Sequence, residues 1–136
     1  MGKRRQSREN ALKILYQIDI SKNKLDEVMK GYCEQNSPPA ETWDFTHLLV
    51  TQTLSSLEEI DSMIKRFSKN WTLKRMGYID RNILRMAACE LSFMKDIPAK
   101  VTINEAIEIA KTFGTEKSAI FVNGVLDGIK QELGKT

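Results

Sequence analysis

The chain has 136 residues, 41% hydrophobic and 29% charged, enough for one domain that buries roughly two thirds of its unfolded surface without disulfide or metal support. No apolar run approaches a membrane span and no apolar signal core opens the chain, while two cysteines, Cys33 and Cys89, fit a reducing, cytoplasmic setting and leave one bridge as the alternative. The formal net charge is only +3, but Lys3, Arg4, Arg5, Arg8 and Lys13 face a single acid, Glu9, in the first 13 residues, so the whole positive excess lies at one end.

The hydrophobic spacing predicts helix almost throughout. In Lys3–Ser21, Ala11, Ile14, Leu15 and Ile18 share one face. A second helix is predicted for Leu25–Gln35, ended by Ser37-Pro38-Pro39, whose prolines suit the start of a third. The segment from Ala40 to Ser68 is apolar on two sides in its first half (Phe45 and Leu49 against Trp43, Val50 and Leu54) and on one side in its second. It therefore reads as a central spine, with His47 packed or half-exposed at its edge. A short turn is predicted between Asn70-Trp71-Thr72 and Met76-Gly77, followed by a helix over Tyr78–Met94. Glu90 falls in the middle of that helix's apolar arc, so it must find donors; backbone N–H groups at the next helix start are the expected source. That start is predicted at Thr102, where Thr102-Ile103-Asn104-Glu105 has the form of a capping box. Gly114 is placed to end this helix in a left-handed conformation, and a last helix runs over Thr115–Leu133. The fold class is all-α: a compact bundle of six or seven helices in two small subdomains, about 1–70 and 71–136, sharing a core.

Catalytic chemistry finds little support. One histidine, no Walker loop, no G-x-G-x-x-G, no H-E-x-x-H and no C-x-x-C leave no expected catalytic residue, metal or cofactor. Glu58, Glu59 and Asp61 read as a solvated helix face.

Two surface features point elsewhere. Arg4, Arg5 and Arg8 lie within roughly 100° on the first helix, and Tyr16 projects along the line of Arg5, which suits phosphate pairing combined with base stacking on single-stranded nucleic acid. A frayed, solvated terminus is the alternative. In the last helix Phe121 lies beside Lys117, off the core stripe, and Gly124 and Gly128 leave a strip without side chains on that same side. Two interior glycines cost about 1 kcal/mol each relative to alanine, so something approaches closely there. That is either another helix of this chain or a ligand stacked on Phe121.

The run Tyr78-Ile79-Asp80-Arg81-Asn82-Ile83-Leu84-Arg85 through Glu90-Leu91, then Ile97-Pro98, Thr102 to Lys111, Phe113-Gly114 and Phe121 to Asp127, resembles the NusB family of bacterial transcription antitermination factors. Arg4-Arg5, Arg8-Glu9 and Ala11-Leu12 through Leu15-Tyr16 resemble that family's first helix; Lys22–Thr42 matches weakly. The resemblance implies a two-bundle helical fold without catalysis. It implies binding to the boxA element of ribosomal RNA transcripts as a heterodimer with NusE, itself a small-subunit ribosomal protein, in a complex with RNA polymerase and other Nus factors. It places the RNA surface at Arg4, Arg5, Arg8, Tyr16 and Phe121, to which Lys117 is added as the neighbour of Phe121, and NusE contacts largely on the C-terminal bundle, where Asp80, Arg81 and Leu84 are the candidates. Gln6 stands where many relatives carry arginine, which implies weaker binding to RNA alone. Two other readings stay open: a domain like the NusB-like N-terminal part of ribosomal RNA cytosine methyltransferases, which needs a downstream cofactor-binding domain, and a purely protein-binding helical adaptor.

Overall fold

The computed structural model describes residues 2–68 and 75–135. Seven helices account for most of them: α1 (Lys3–Ser21), α2 (Leu25–Asn36), α3 (Ala40–Ser55), α4 (Leu57–Phe67), α5 (Tyr78–Phe93), α6 (Ala99–Phe113) and α7 (Glu116–Glu132). No strand occurs among the described residues, and no described helix is long and apolar enough to cross a membrane. The turn expected around Asn70–Thr72 lies outside the described residues.

Local chemistry sets most helix ends. Lys22 (φ 63°) and Ser37 (φ 43°) close α1 and α2 in the left-handed conformation, returning their N–H groups to Ile18 and Cys33. Pro39 and Pro98 immediately precede α3 and α6, where a fixed φ and a missing donor cost the helix nothing. Pro98 overturns the expected capping box: α6 begins at Ala99, and Thr102 is inside the helix, its hydroxyl donating to Glu90 at 2.9 Å. The true box opens α7, where Thr115 Oγ1 accepts from the Ser118 N–H and Ser118 Oγ from the Thr115 N–H, both at 3.1 Å. Gly114 is not left-handed (φ −118°). It is glycine for space, since a Cβ would sit 2.6 Å from Ser118 Oγ and 2.9 Å from the Ala110 carbonyl oxygen.

The stretch from Ala40 to Ser68 is two helices, broken at Ser56 (φ −115°, ψ 23°), where its apolar pattern changes character. The spine is instead α5, which packs against α1, α3, α4, α6 and α7. From Asn82 to Leu91 every α5 residue except Arg85 is buried. Each large apolar side chain there, such as Ile83, Leu84 or Leu91, contributes about 1.5–3 kcal/mol. Helices α1–α3 pack together on one side, α4, α6 and α7 on the other, and one continuous apolar cluster joins both groups. His47 is exposed on α3 and not packed. Asp61 is not merely solvated, for it holds the Arg85 guanidinium through bonds of 2.9 and 3.0 Å.

Candidate nucleic-acid interface

The N-terminal arginines meet three different fates. Arg8 is 3% exposed. Its Nε and NH2 donate to both oxygens of Glu90 at 2.7 and 2.8 Å, under the Thr102 hydroxyl. Glu90 thus takes its donors from side chains, not from backbone N–H groups. Arg8 is also removed from the expected phosphate-binding row, because reaching a phosphate would strand a buried carboxylate. Arg5 is half-buried and grips Glu105 of α6 bidentately, at 2.8 Å for each bond. The hydrogen bonds from Arg5 hold the Glu105 carboxyl below its usual range, against the opposing effect of burial, and in turn raise the Arg5 guanidinium. Lys3 pairs with Glu41 of α3. The basic excess of the first helix is therefore largely neutralised by acids from three other helices.

Arg4 and Lys13 escape this. Neither has a carboxylate partner among the described residues, and each sits over an aromatic ring. The Arg4 guanidinium lies 4.5 Å from the Phe45 centroid and the Lys13 ammonium 5.8 Å from that of Phe113. Lys13 carried no distinguishing sequence signal, since Phe113 reads as a core position and the pairing crosses 100 residues of chain.

Tyr16 is 37% exposed and meets Tyr78 edge-to-face, with centroids 6.1 Å apart and an interplanar angle of 81°. Tyr16 also lines an apolar cavity of about 400 Å³ with Leu12, Lys13, Ile20, Ile79 and Phe113. A second cavity of about 350 Å³ gathers Lys117 and Phe121 of α7 with Asp80, Gly77, Met76 and Arg75. Phe121 is half-buried there and Lys117 exposed. Two residues expected on the RNA surface and one expected at a protein partner thus share one site.

The remaining residues expected at the partner behave differently. Arg81 reaches back to Asp19 of α1, its Nε at 2.9 Å and NH2 at 2.8 Å, while its guanidinium covers Tyr78 at 4.7 Å. Leu84 is fully buried in the core and cannot touch a partner; its place in the middle of α5, packed on five helices, is the reason. The two interior glycines also part ways. A Cβ at Gly128 would lie 2.4 Å from the Phe67 ring, so the close approach is internal, whereas Gly124 is exposed with nothing within 4 Å.

What emerges is a surface of α1, α5, α6 and α7 bearing Tyr16, Tyr78, Phe113 and Phe121, edged by Lys13, Arg81 and Lys117. Aromatic faces with flanking cations bind unpaired bases and their phosphates.

Comparison with known proteins shows what the whole chain is similar to. Residues 5–131 match the model described as the NusB family. The chain is 48% identical to the transcription antitermination protein NusB of Bacillus licheniformis, over 96% of this chain and 98% of that one. It superimposes on T. maritima NusB with a TM-score of 0.84 at 39% identity, covering 95% and 91% of the two chains. It superimposes with a TM-score of 0.88 at 29% identity, covering 96% and 97%, on a chain from a crystal structure of the antitermination factors NusB and NusE in complex with double-stranded RNA.

Proposed function

The chain belongs to the NusB family, and from that premise we propose that it is a transcription antitermination factor that binds boxA RNA of ribosomal RNA transcripts together with NusE. It acts without catalysis, in the cytoplasm, within a complex that includes RNA polymerase and other Nus factors. The observation that carries this reading is the placement of Tyr16 in one cavity and of Lys117 and Phe121 in another, lined by the consecutive α5 residues Ile79 and Asp80 respectively, in a fold shared with a protein crystallised with NusE and RNA.

Arg4, Lys13 and Lys117 supply phosphate contacts, and Tyr16 and Phe121 supply stacking faces. Arg5 contributes only when its outward N–H groups are used beside Glu105. Asp80, half-buried at the edge of the Phe121 cavity, is the acid proposed to meet NusE, with Arg81 beside it. With three unpaired cations proposed for the RNA surface, the chain grips RNA weakly alone and gains affinity when NusE adds its own surface.

The test is a titration of a boxA oligonucleotide with and without NusE, at two salt concentrations and against an RNA duplex of the same sequence. Salt-dependent binding that tightens with NusE and prefers the single strand is expected. Equal affinity for the duplex would move recognition from bases to backbone shape. No salt-dependent RNA binding at all would leave a protein-binding adaptor.

A further inference from the structure

We propose that Tyr78 is a further nucleobase-stacking residue, oriented by Arg81 and Asp19, on the path an RNA strand takes between Tyr16 and Phe121. The proposal rests on the RNA-binding reading above and adds a contact and a positioning pair to it.

Tyr78 opens α5 and is 44% exposed, the more open ring of the Tyr16–Tyr78 pair. It is nevertheless held in place. Arg81 covers one face at 4.7 Å, and Tyr16 meets the ring nearly perpendicularly. Arg81 is itself anchored, because Asp19 receives its Nε and NH2 together with the Asn82 amide at 2.9 Å and Arg85 NH1 at 3.3 Å. A ring fixed from two directions loses little entropy when a base settles on it. With Arg81 over the ring and 44% of the residue exposed, a base reaching the open ring surface would stack beside a cation.

Position supplies the second argument. Ile79 lines the cavity that holds Tyr16 and Phe113, whereas Gly77 and Asp80 line the cavity that holds Lys117 and Phe121. Tyr78 lies between these neighbours in the chain, so a strand engaging both cavities crosses the start of α5. The 81° between the two tyrosine rings means that bases stacked on them are nearly perpendicular. The strand therefore turns at this point, which an A-form duplex cannot do and a single strand can.

The experiment titrates a single-stranded boxA oligonucleotide, with NusE present, into wild type and the variants Tyr78→Phe, Tyr78→Trp and Tyr78→Leu, each checked by circular dichroism. Phenylalanine and tryptophan are expected to bind within about twofold of tyrosine or tighter. Leucine is expected to lose roughly 5- to 150-fold, with an unchanged log–log salt slope because stacking releases no counterions. Asp19→Asn, which loosens Arg81, is expected to produce a smaller loss that Tyr78→Leu does not deepen additively. Leucine binding like tyrosine overturns the proposal, as does a leucine variant that keeps RNA affinity and loses only NusE. Should the leucine variant unfold, a folded tryptophan variant that binds more than about twofold more weakly than tyrosine overturns it equally. A wild type that binds no RNA removes the functional reading itself, whereas a binding wild type with an indifferent Tyr78 removes this inference alone.

Discussion

Arg8 and Glu90, 82 positions apart, form a bidentate ion pair of 2.7 and 2.8 Å with both side chains almost wholly buried, at 3% and 1% exposure. The pair ties α1 to α5, and Thr102 adds α6 through its hydroxyl. Removing one member leaves the other charged in a site closed to water.

Glu90→Gln is therefore expected to cost about 3–5 kcal/mol in urea unfolding, the usual penalty for an orphaned buried charge. Replacing the pair together by apolar residues of similar volume, Arg8→Met with Glu90→Leu, is expected to recover most of that loss. RNA affinity of the folded double variant should stay close to wild type, because Arg8 does not reach the surface. A large affinity loss in a stable double variant would restore Arg8 to the RNA site.

This pair also marks where the sequence stops being legible. The limits of α1 and the start of α5 followed from periodicity and from Gly77, and Glu90 stood out because a carboxylate in an apolar arc demands donors. The identity of those donors is non-local. Helical projection grouped Arg8 with Arg4 and Arg5 on one arc, and nothing near it in sequence indicated that Glu90 would cover it. The same holds for Glu41 and Glu105, whose pairing with Lys3 and Arg5 cancels charge that composition presents as free. The break at Ser56 was hidden for a different reason, since no glycine or proline marks it. Tyr16 was legible on the line of Arg5, and Phe121 beside Lys117 off the core stripe, with its covering left open between another helix and a ligand. Their grouping with Tyr78 and Asp80 required the packing of α5 between α1 and α7.

Gly124 and Gly128 offer a paired test on one helix. At Gly128 a methyl group would collide with the Phe67 ring, 2.4 Å from its nearest atom. Gly128→Ala is expected to destabilise by about 1–3 kcal/mol, as overpacking does, less the helix-propensity gain of roughly 1 kcal/mol. Gly124 has open space, so Gly124→Ala should stabilise by up to about 1 kcal/mol. Thermal melts of the two variants should therefore move in opposite directions. A Gly124→Ala variant that melts higher yet binds NusE or RNA less well would place a partner on that bare strip.

Acid should weaken the fold through Asp19 and Glu105. Burial pushes the Asp19 carboxyl up, but hydrogen bonds from Asn82 and Arg81 and the charge of Arg85 outweigh it, leaving the group below its ordinary 3.8. Arg5 likewise holds Glu105 below 4.5. Both groups bind protons less readily folded than unfolded, so their stabilisation is complete above the ordinary values and is lost as pH falls through the folded ones. Urea midpoints should be level down to about pH 5 and then decline. Asp19→Asn should be less stable than wild type near neutrality, with the gap narrowing on acidification. A gap independent of pH would show that the Asp19 charge contributes nothing to the fold.

The salt dependence of RNA binding tests the neutralised first helix. Five basic residues near the N-terminus would suggest up to five phosphate contacts, but Lys3, Arg5 and Arg8 are engaged by Glu41, Glu105 and Glu90. Arg4 and Lys13 remain without a carboxylate partner among the described residues, and Lys117 of α7 brings the unpaired cations proposed for the RNA surface to three. Three contacts on a single strand correspond to a log–log slope of about −2, at roughly −0.7 for each phosphate. Glu105→Gln removes the carboxylate that occupies the Nε edge of Arg5, without deleting a cation. It should steepen the slope by about 0.7 and tighten binding at low salt, while Arg5→Gln in the same background should return the slope to about −2. If Glu105→Gln instead weakens binding, Glu105 holds Arg5 in the orientation that RNA needs, and the ion pair is part of the binding surface rather than a competitor for it.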